Sequence, residues 1–450
     1  MTCHRCGTEC LPEQKFCKNC GNPLAADGTQ AIPPVSPPLA VQAAPPPPPP
    51  AYPPPAAPMA YPAAQPLAYQ GVPQPVYYVT AQAAATQAHH VQQNMMHNLR
   101  SRIQSLASTE ELEGFSLPQM FSEVFKRRSA DDVEEYILVG TLRTTPPLDV
   151  VETGWPKPWL FFRLLAALVI AYTALTLICL ETGNSNCIPG IMFLGAFAVP
   201  LATLMLFFEL NSPRNVSLHM VGKLFLAGAV ISLGVALVEY SLAIFQLGTW
   251  EAGIVEEVAK LLTVVVIMRS ARFKYILNGI LFGATVGAGF ACFETAGYAL
   301  NEGFLAGLLP VVVQTGQLTA AGTQAGVSQM LSILLLRGVL APLGHVAWTA
   351  IAAGAFWRVK GDKPFSVSML FDHRFLRAFI IPVALHAIWD APWQLPFFGN
   401  DILTGLVSWY VVFGLVQQGL HQVKDEQKTH LQTTLDKVEA SLQAPGTVTV

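Results

Sequence analysis

The stretch that decides the fold is Ile276–Ala299, ILNGILFGATVGAGFACFETAGYA. It is long enough to cross a hydrocarbon core, and it carries one acid, Glu294, late in an otherwise apolar run. Stretches of the same kind recur on both sides of it. Span length places them at about 159–180, 189–210, 222–247, 253–268, 276–299, 329–357, 375–396 and 402–420. The fourth is short and opens on charged residues, and 304–313 is apolar but too short to span, which predicts a re-entrant or surface loop there. The expected fold is an all-α polytopic membrane protein with about eight transmembrane helices.

Composition agrees. Of 450 residues, 52% are hydrophobic and 12% charged, half the charged share of about 25% in soluble globular proteins. The formal net charge of -3 gives no basis for nucleic-acid binding. Basic residues alternate between loops. Arg214 and Lys223 follow the second span, Arg269, Arg272 and Lys274 the fourth, and Arg358, Lys360, Lys363, Arg374 and Arg377 the sixth, whereas the loops after the odd-numbered spans hold no Lys or Arg. By the positive-inside rule both termini are expected in the cytosol, with the chain in the cell (inner or plasma) membrane.

Outside the spans the chain divides by composition. Residues 1–26 hold Cys3 and Cys6, then Cys17 and Cys20, with ten residues between the pairs. Two C-x2-C knuckles in this spacing fit a structural Zn site whose metal supplies the folding energy of so short a module. No basic stretch followed by an apolar one marks a signal peptide, so the thiols are expected to stay reduced in the cytosol. Residues 27–90 form a Pro/Ala-rich disordered linker with Pro45–Pro50 in a row, extended as polyproline II. Ribbon and arm together could recruit a cytosolic protein partner. Residues 91–157 read as a cytosolic juxtamembrane region, in which Ser129-Ala-Asp-Asp132 caps a helix. The membrane domain covers 158–420, and a C-terminal tail, 421–450, is amphipathic at helical spacing.

The chemistry lies in ionisable residues placed where hydrocarbon makes them costly. Glu256, Glu257 and Lys260 share one helix, at separations that let the lysine reach both acids. Glu294 follows Phe290 by one turn, His345 lies in the sixth span near Arg337, and His386 and Asp390 share a face of the seventh. From the run directions, these groups can meet in one polar cavity in the outer half of the membrane. A carboxylate there can activate water while a histidine stabilises the oxyanion or protonates the leaving amine. Alternatively His345, His386 and a carboxylate hold a catalytic metal, with a glutamate as base. Glu257 is slightly favoured over Glu256 as the water-activating carboxylate, with Glu294 and Asp390 positioning water or histidine. Glu209 reads as an interfacial acid. A proton-coupled transporter would use similar residues, but its expected inverted repeats are not found. A non-catalytic scaffold built on the ribbon is the other rival.

Glu256-Glu257-Val-Ala-Lys260, Phe290-Ala-Cys-Phe-Glu294 and His386-Ala-Ile-Trp-Asp390 resemble the EExxK, FxxxE and HxxxD motifs of the PrsW family, and Arg337–His345 resembles that family's additional histidine span. The resemblance covers roughly 160–420. It implies an intramembrane protease that clips membrane-anchored substrates, such as anti-sigma factors, on the outer side. It does not extend to the ribbon, the linker or the tail.

Overall fold

The computed structural model describes residues 95–110, 112–242, 250–317 and 319–443, all within the compact unit Tyr78–Val450. The zinc-ribbon cysteines Cys3, Cys6, Cys17 and Cys20 and the Pro-rich linker lie outside the described residues. The described residues contain helices and no strands.

Three short helices come first, α1 (95–107), α2 (Leu117–Met120) and α3 (Ala130–Ile137). Ser129 and Asp132 form the expected capping box on α3. The apolar helices follow: α4 (Leu160–Thr182), α5 (Ile188–Leu210), then α6 (Leu218–Ala227) running through a π-turn into α7 (Leu233–Ser241). Next come α8 (Glu251–Ile267) and α9 (Ile276–Tyr298), the latter continuing through a π segment into α10 (Ala306–Thr315). The set closes with α11 (Ala320–Leu340), α12 (His345–Lys360), α13 (His373–Trp389) and α14 (Gly399–Gln443).

The expected order of about eight apolar helices is found, and two boundaries need correction. Six stretches are long and apolar enough to cross a membrane. The expected fourth and seventh spans are α8 and α13, of 17 residues each, about a turn short of the usual ~20. The expected single span 329–357 is two helices. Pro342 has no N–H to continue the ladder and Gly344 sits at φ -109, ψ -126, so the chain breaks over Ala341–Gly344 and restarts at His345. The expected loop at 304–313 is helical, because the π segment carries α9 onward instead of ending it.

α9 and α12 form the centre. Gly283 and Gly287, one turn apart, let the two backbones touch. A Cβ on Gly283 would lie 2.1 Å from the Thr349 carbonyl, and one on Gly287 2.4 Å from that of His345. This contact fixes the start of α12 against the middle of α9. Trp348, fully buried, donates from Nε1 to Ser408 Oγ at 3.1 Å, which ties α12 to α14.

Two polar devices tie the bundle together where the Lys274 end of α9 begins. Glu209, at the end of α5, is 6% exposed. Its carboxylate accepts from the backbone N–H groups of Trp159, Leu160 and Phe161 at 2.7, 2.9 and 2.8 Å. It therefore caps α4 from another helix, and is not the interfacial acid its position suggests. Asn278 Nδ2, in the first turn of α9, donates to Asn211 and Asn215 at 2.9 and 2.7 Å. Nearby, Arg358 donates to the Ala107 and Ser108 carbonyls and Gln427 to those of Leu148 and Val151. The segment before α4 is thereby seated on α12 and α14. α14 runs through residue 420 without a break.

Candidate active site

The seven predicted residues Glu256, Glu257, Lys260, Glu294, His345, His386 and Asp390 come together between α8, α9, α12 and α13. Lys260 is the hub. Its Nζ is 0% exposed and lies 2.7 Å from Glu257 Oε1, 3.3 Å from Glu256 Oε2 and 2.8 Å from His345 Nδ1. It also sits 4.2 Å from the centre of the Phe290 ring, which explains an aromatic one turn before Glu294.

The hydrogen bonds order the two imidazoles. An ammonium only donates, so His345 Nδ1 accepts from Lys260 and its Nε2–H donates to Glu294 Oε2 at 3.0 Å. Glu294 also takes Arg337 Nη2 at 2.5 Å. His386 Nδ1 faces Glu257 Oε1 at 3.0 Å, and its Nε2 faces Asp390 Oδ2 at 3.2 Å and Glu256 Oε2 at 3.6 Å. Trp348 stacks on the His386 ring, centroids 4.4 Å apart. His345 thus rests Nε2 on Glu294 and Nδ1 on Lys260, and His386 lies between Glu257 and Asp390, with Glu256 Oε2 3.7 Å from His345 Nδ1 and 3.6 Å from His386 Nε2.

Glu256 and Glu257 each leave one carboxylate oxygen, Oε2, buried without a hydrogen bond, but only Glu256 places that oxygen beside both imidazoles. Glu256 Oε1 accepts from the Tyr240 hydroxyl at 3.0 Å. Its Oε2 is buried without a hydrogen bond, although the Lys260 ammonium and both imidazoles surround it at 3.3 to 3.7 Å. Glu256, His345 and His386 each offer one ligand atom, all within 4.8 Å of one another. Two imidazoles and a carboxylate make the donor set of a catalytic zinc site. A carboxylate behind each ligating histidine, here Glu294 and Glu257, is the usual outer support. The orphaned oxygen and the donor chemistry therefore fit a divalent metal.

Two cavities flank the cluster. One, of roughly 630 Å³, is bordered by Tyr240, Glu256, Glu294 and both histidines. The other, of roughly 750 Å³, lies beyond Arg337, His345, Trp389 and Asp390, which line both. Glu257 borders neither and is 0% exposed. That placement argues against it as the carboxylate that meets water. Tyr240 was not singled out by its sequence context, a tyrosine in an apolar helix whose partner lies in the next one. Cys292 is a buried packing residue, and Cys179 and Cys187 are free.

Apolar membrane-length helices around a buried carboxylate–histidine cluster, open to cavities on two sides, have the parts that intramembrane peptide hydrolysis requires. Residues 216–416 match the family model described as PrsW family intramembrane metalloprotease. The match begins just before α6 and ends within α14, so it contains every residue of the cluster. No curated protein and no solved structure matches the chain.

Proposed function

We propose that the chain is an endopeptidase of the cell membrane that cleaves membrane-anchored protein substrates, of the anti-sigma-factor kind, near the outer face. Both termini lie in the cytosol, as the distribution of Lys and Arg supports. The observation that carries the reading is the orphaned Glu256 Oε2 between two carboxylate-backed imidazoles. Glu256, His345 and His386 would hold the metal, which supplies Lewis-acid polarisation and activation of water.

The chain's own groups supply the rest. Asp390 lines both cavities, is 34% exposed in its side chain and has His386 as its one ionic contact among the described residues. It is the carboxylate best placed to orient water and take its proton. Glu294 is committed to Arg337 and His345 and orients the latter. Arg337 lines both cavities beside Glu294, so its guanidinium can donate to an oxyanion that forms there. Lys260 balances the charge of Glu256 and Glu257. Glu257 holds the His386 ring. The four-cysteine module of 1–26 is a structural zinc ribbon on a Pro-rich arm, appended to the membrane protease of 158–420.

The test compares new protein termini in cells carrying wild type, Glu256→Gln or Asp390→Asn at equal membrane levels, with metal content of the purified full chain read in parallel. Cleaved ends near the outer face, present with wild type alone and accompanied by metal loss in Glu256→Gln only, are expected. Identical termini in all three would remove the hydrolase reading.

A further inference from the structure

The larger cavity holds a carboxylate that the proposed chemistry does not use. Asp401, in the first turn of α14, is 7% exposed and lines that cavity. Its carboxylate makes no ion pair or hydrogen bond to another described residue. An acid in a first turn is favoured by the helix dipole, which accounts for its tolerance there but not for its place on a cavity wall. The other charges around the cavity are already matched, Arg337 by Glu294 and Asp390 by His386.

Most of the cavity lining is apolar, with Leu336, Leu340, Trp389, Leu395 and Phe398 among it and Thr295 and Gln394 as its uncharged polar members. Part of this lining is a strained loop. Phe397 and Phe398 adopt φ of 57° and 56°, a left-handed backbone that bulky residues rarely take, and such strain concentrates at binding sites. Buried Asn400 holds the loop there by donating to the Trp393 carbonyl at 2.8 Å while its Oδ1 accepts from Leu395 N–H at 3.1 Å. A largely apolar cavity of roughly 750 Å³ with an unmatched carboxylate suits a side chain that has an aliphatic stem and a cationic head.

We infer that the cavity between α11, Trp389 and the 391–399 loop is the substrate subsite next to the scissile bond, and that it selects a lysine or arginine whose head reaches Asp401. This rests on the peptidase reading above. The residues common to both cavities put the reacting bond at their junction, so an extended chain crossing it places one neighbouring side chain in the larger one. The stem would lie along Leu336, Trp389 and Phe398, and the head would pair with Asp401 away from bulk water.

The experiment uses full-length enzyme in proteoliposomes with single-span peptides carrying a randomised segment at the membrane edge, and reads new termini by mass spectrometry. Wild type is expected to favour Lys or Arg on one side of the cut by at least tenfold over Gln and Leu. Asp401→Asn is expected to bring that ratio near one while Leu-containing peptides are still cut. Leu336→Phe, which fills part of the cavity and leaves the carboxylate, should weaken Arg more than Leu. Cutting by wild type with no basic preference, or a preference unchanged in Asp401→Asn, overturns the subsite and leaves the peptidase reading intact. No cutting of any peptide by wild type, with Glu256→Gln identical, refutes the peptidase reading itself. Should Asp401→Asn fail to fold, the wild-type preference and the Leu336→Phe ratio still decide the question.

Discussion

Tyr240 and Glu209 are single side chains that bind distant parts of the bundle. Tyr240 fixes one oxygen of Glu256, leaving the other aimed at the imidazoles. Tyr240→Phe should therefore weaken metal binding by about tenfold, the low end for loss of an outer-shell partner, as read by chelator competition on the purified chain. Glu209 receives three backbone N–H groups in a buried site. Replacing it with alanine removes the cap of α4, and a loss of about 2 kcal/mol is expected; thermal unfolding in detergent would show it, with little change in metal content. The sequence placed Glu209 at a helix end but could not show its partners some 50 positions earlier. The motif residues were legible for the opposite reason. Charges at i, i+3 and i+4 in an apolar helix point to one another from local spacing alone.

Helices α9 and α12 set the geometry that those side chains use. His345 opens α12, so both its backbone position and its ring depend on where the chain breaks. Gly283→Leu should push the helices apart, with an overpacking cost of about 1–3 kcal/mol. Because the shift lies one turn from the Gly287–His345 contact, activity should fall further than stability. Activity assays beside melting curves test this, and equal losses in both would show that α12 moves without disturbing the cluster. Pro342→Ala offers a second check. A restored N–H favours continuing α11 through the break, so the metal content should drop while the protein still inserts. Pro342 and Gly344 were visible signals of this break, yet the apolar run across them reads as one span by hydropathy. The same blindness applies to 304–313, where length argued for a loop and the π segment instead prolongs a helix.

At the scale of the whole molecule, the order of the helical elements was readable from span lengths, while contacts between remote segments were not. The seating of Ala107 and Ser108 on α12 through Arg358, and of Leu148 and Val151 on α14 through Gln427, is of the second kind, because backbone carbonyls carry no sequence signature. Arg358→Ala should release this segment, with faster backbone hydrogen exchange over 105–110 and the Glu256, His345 and His386 cluster unaffected. The two helices that carry Glu256, Glu257, Lys260 and His386 are short for a span, 17 residues each. A helix of that length spans about 25 Å against a hydrocarbon thickness near 30 Å. Lipid tails beside α8 and α13 must compress or yield to headgroups, which brings water toward the reactive groups without a dedicated channel. Bilayer thickness then becomes a control on turnover, and short-chain lipids should favour the enzyme over long-chain ones.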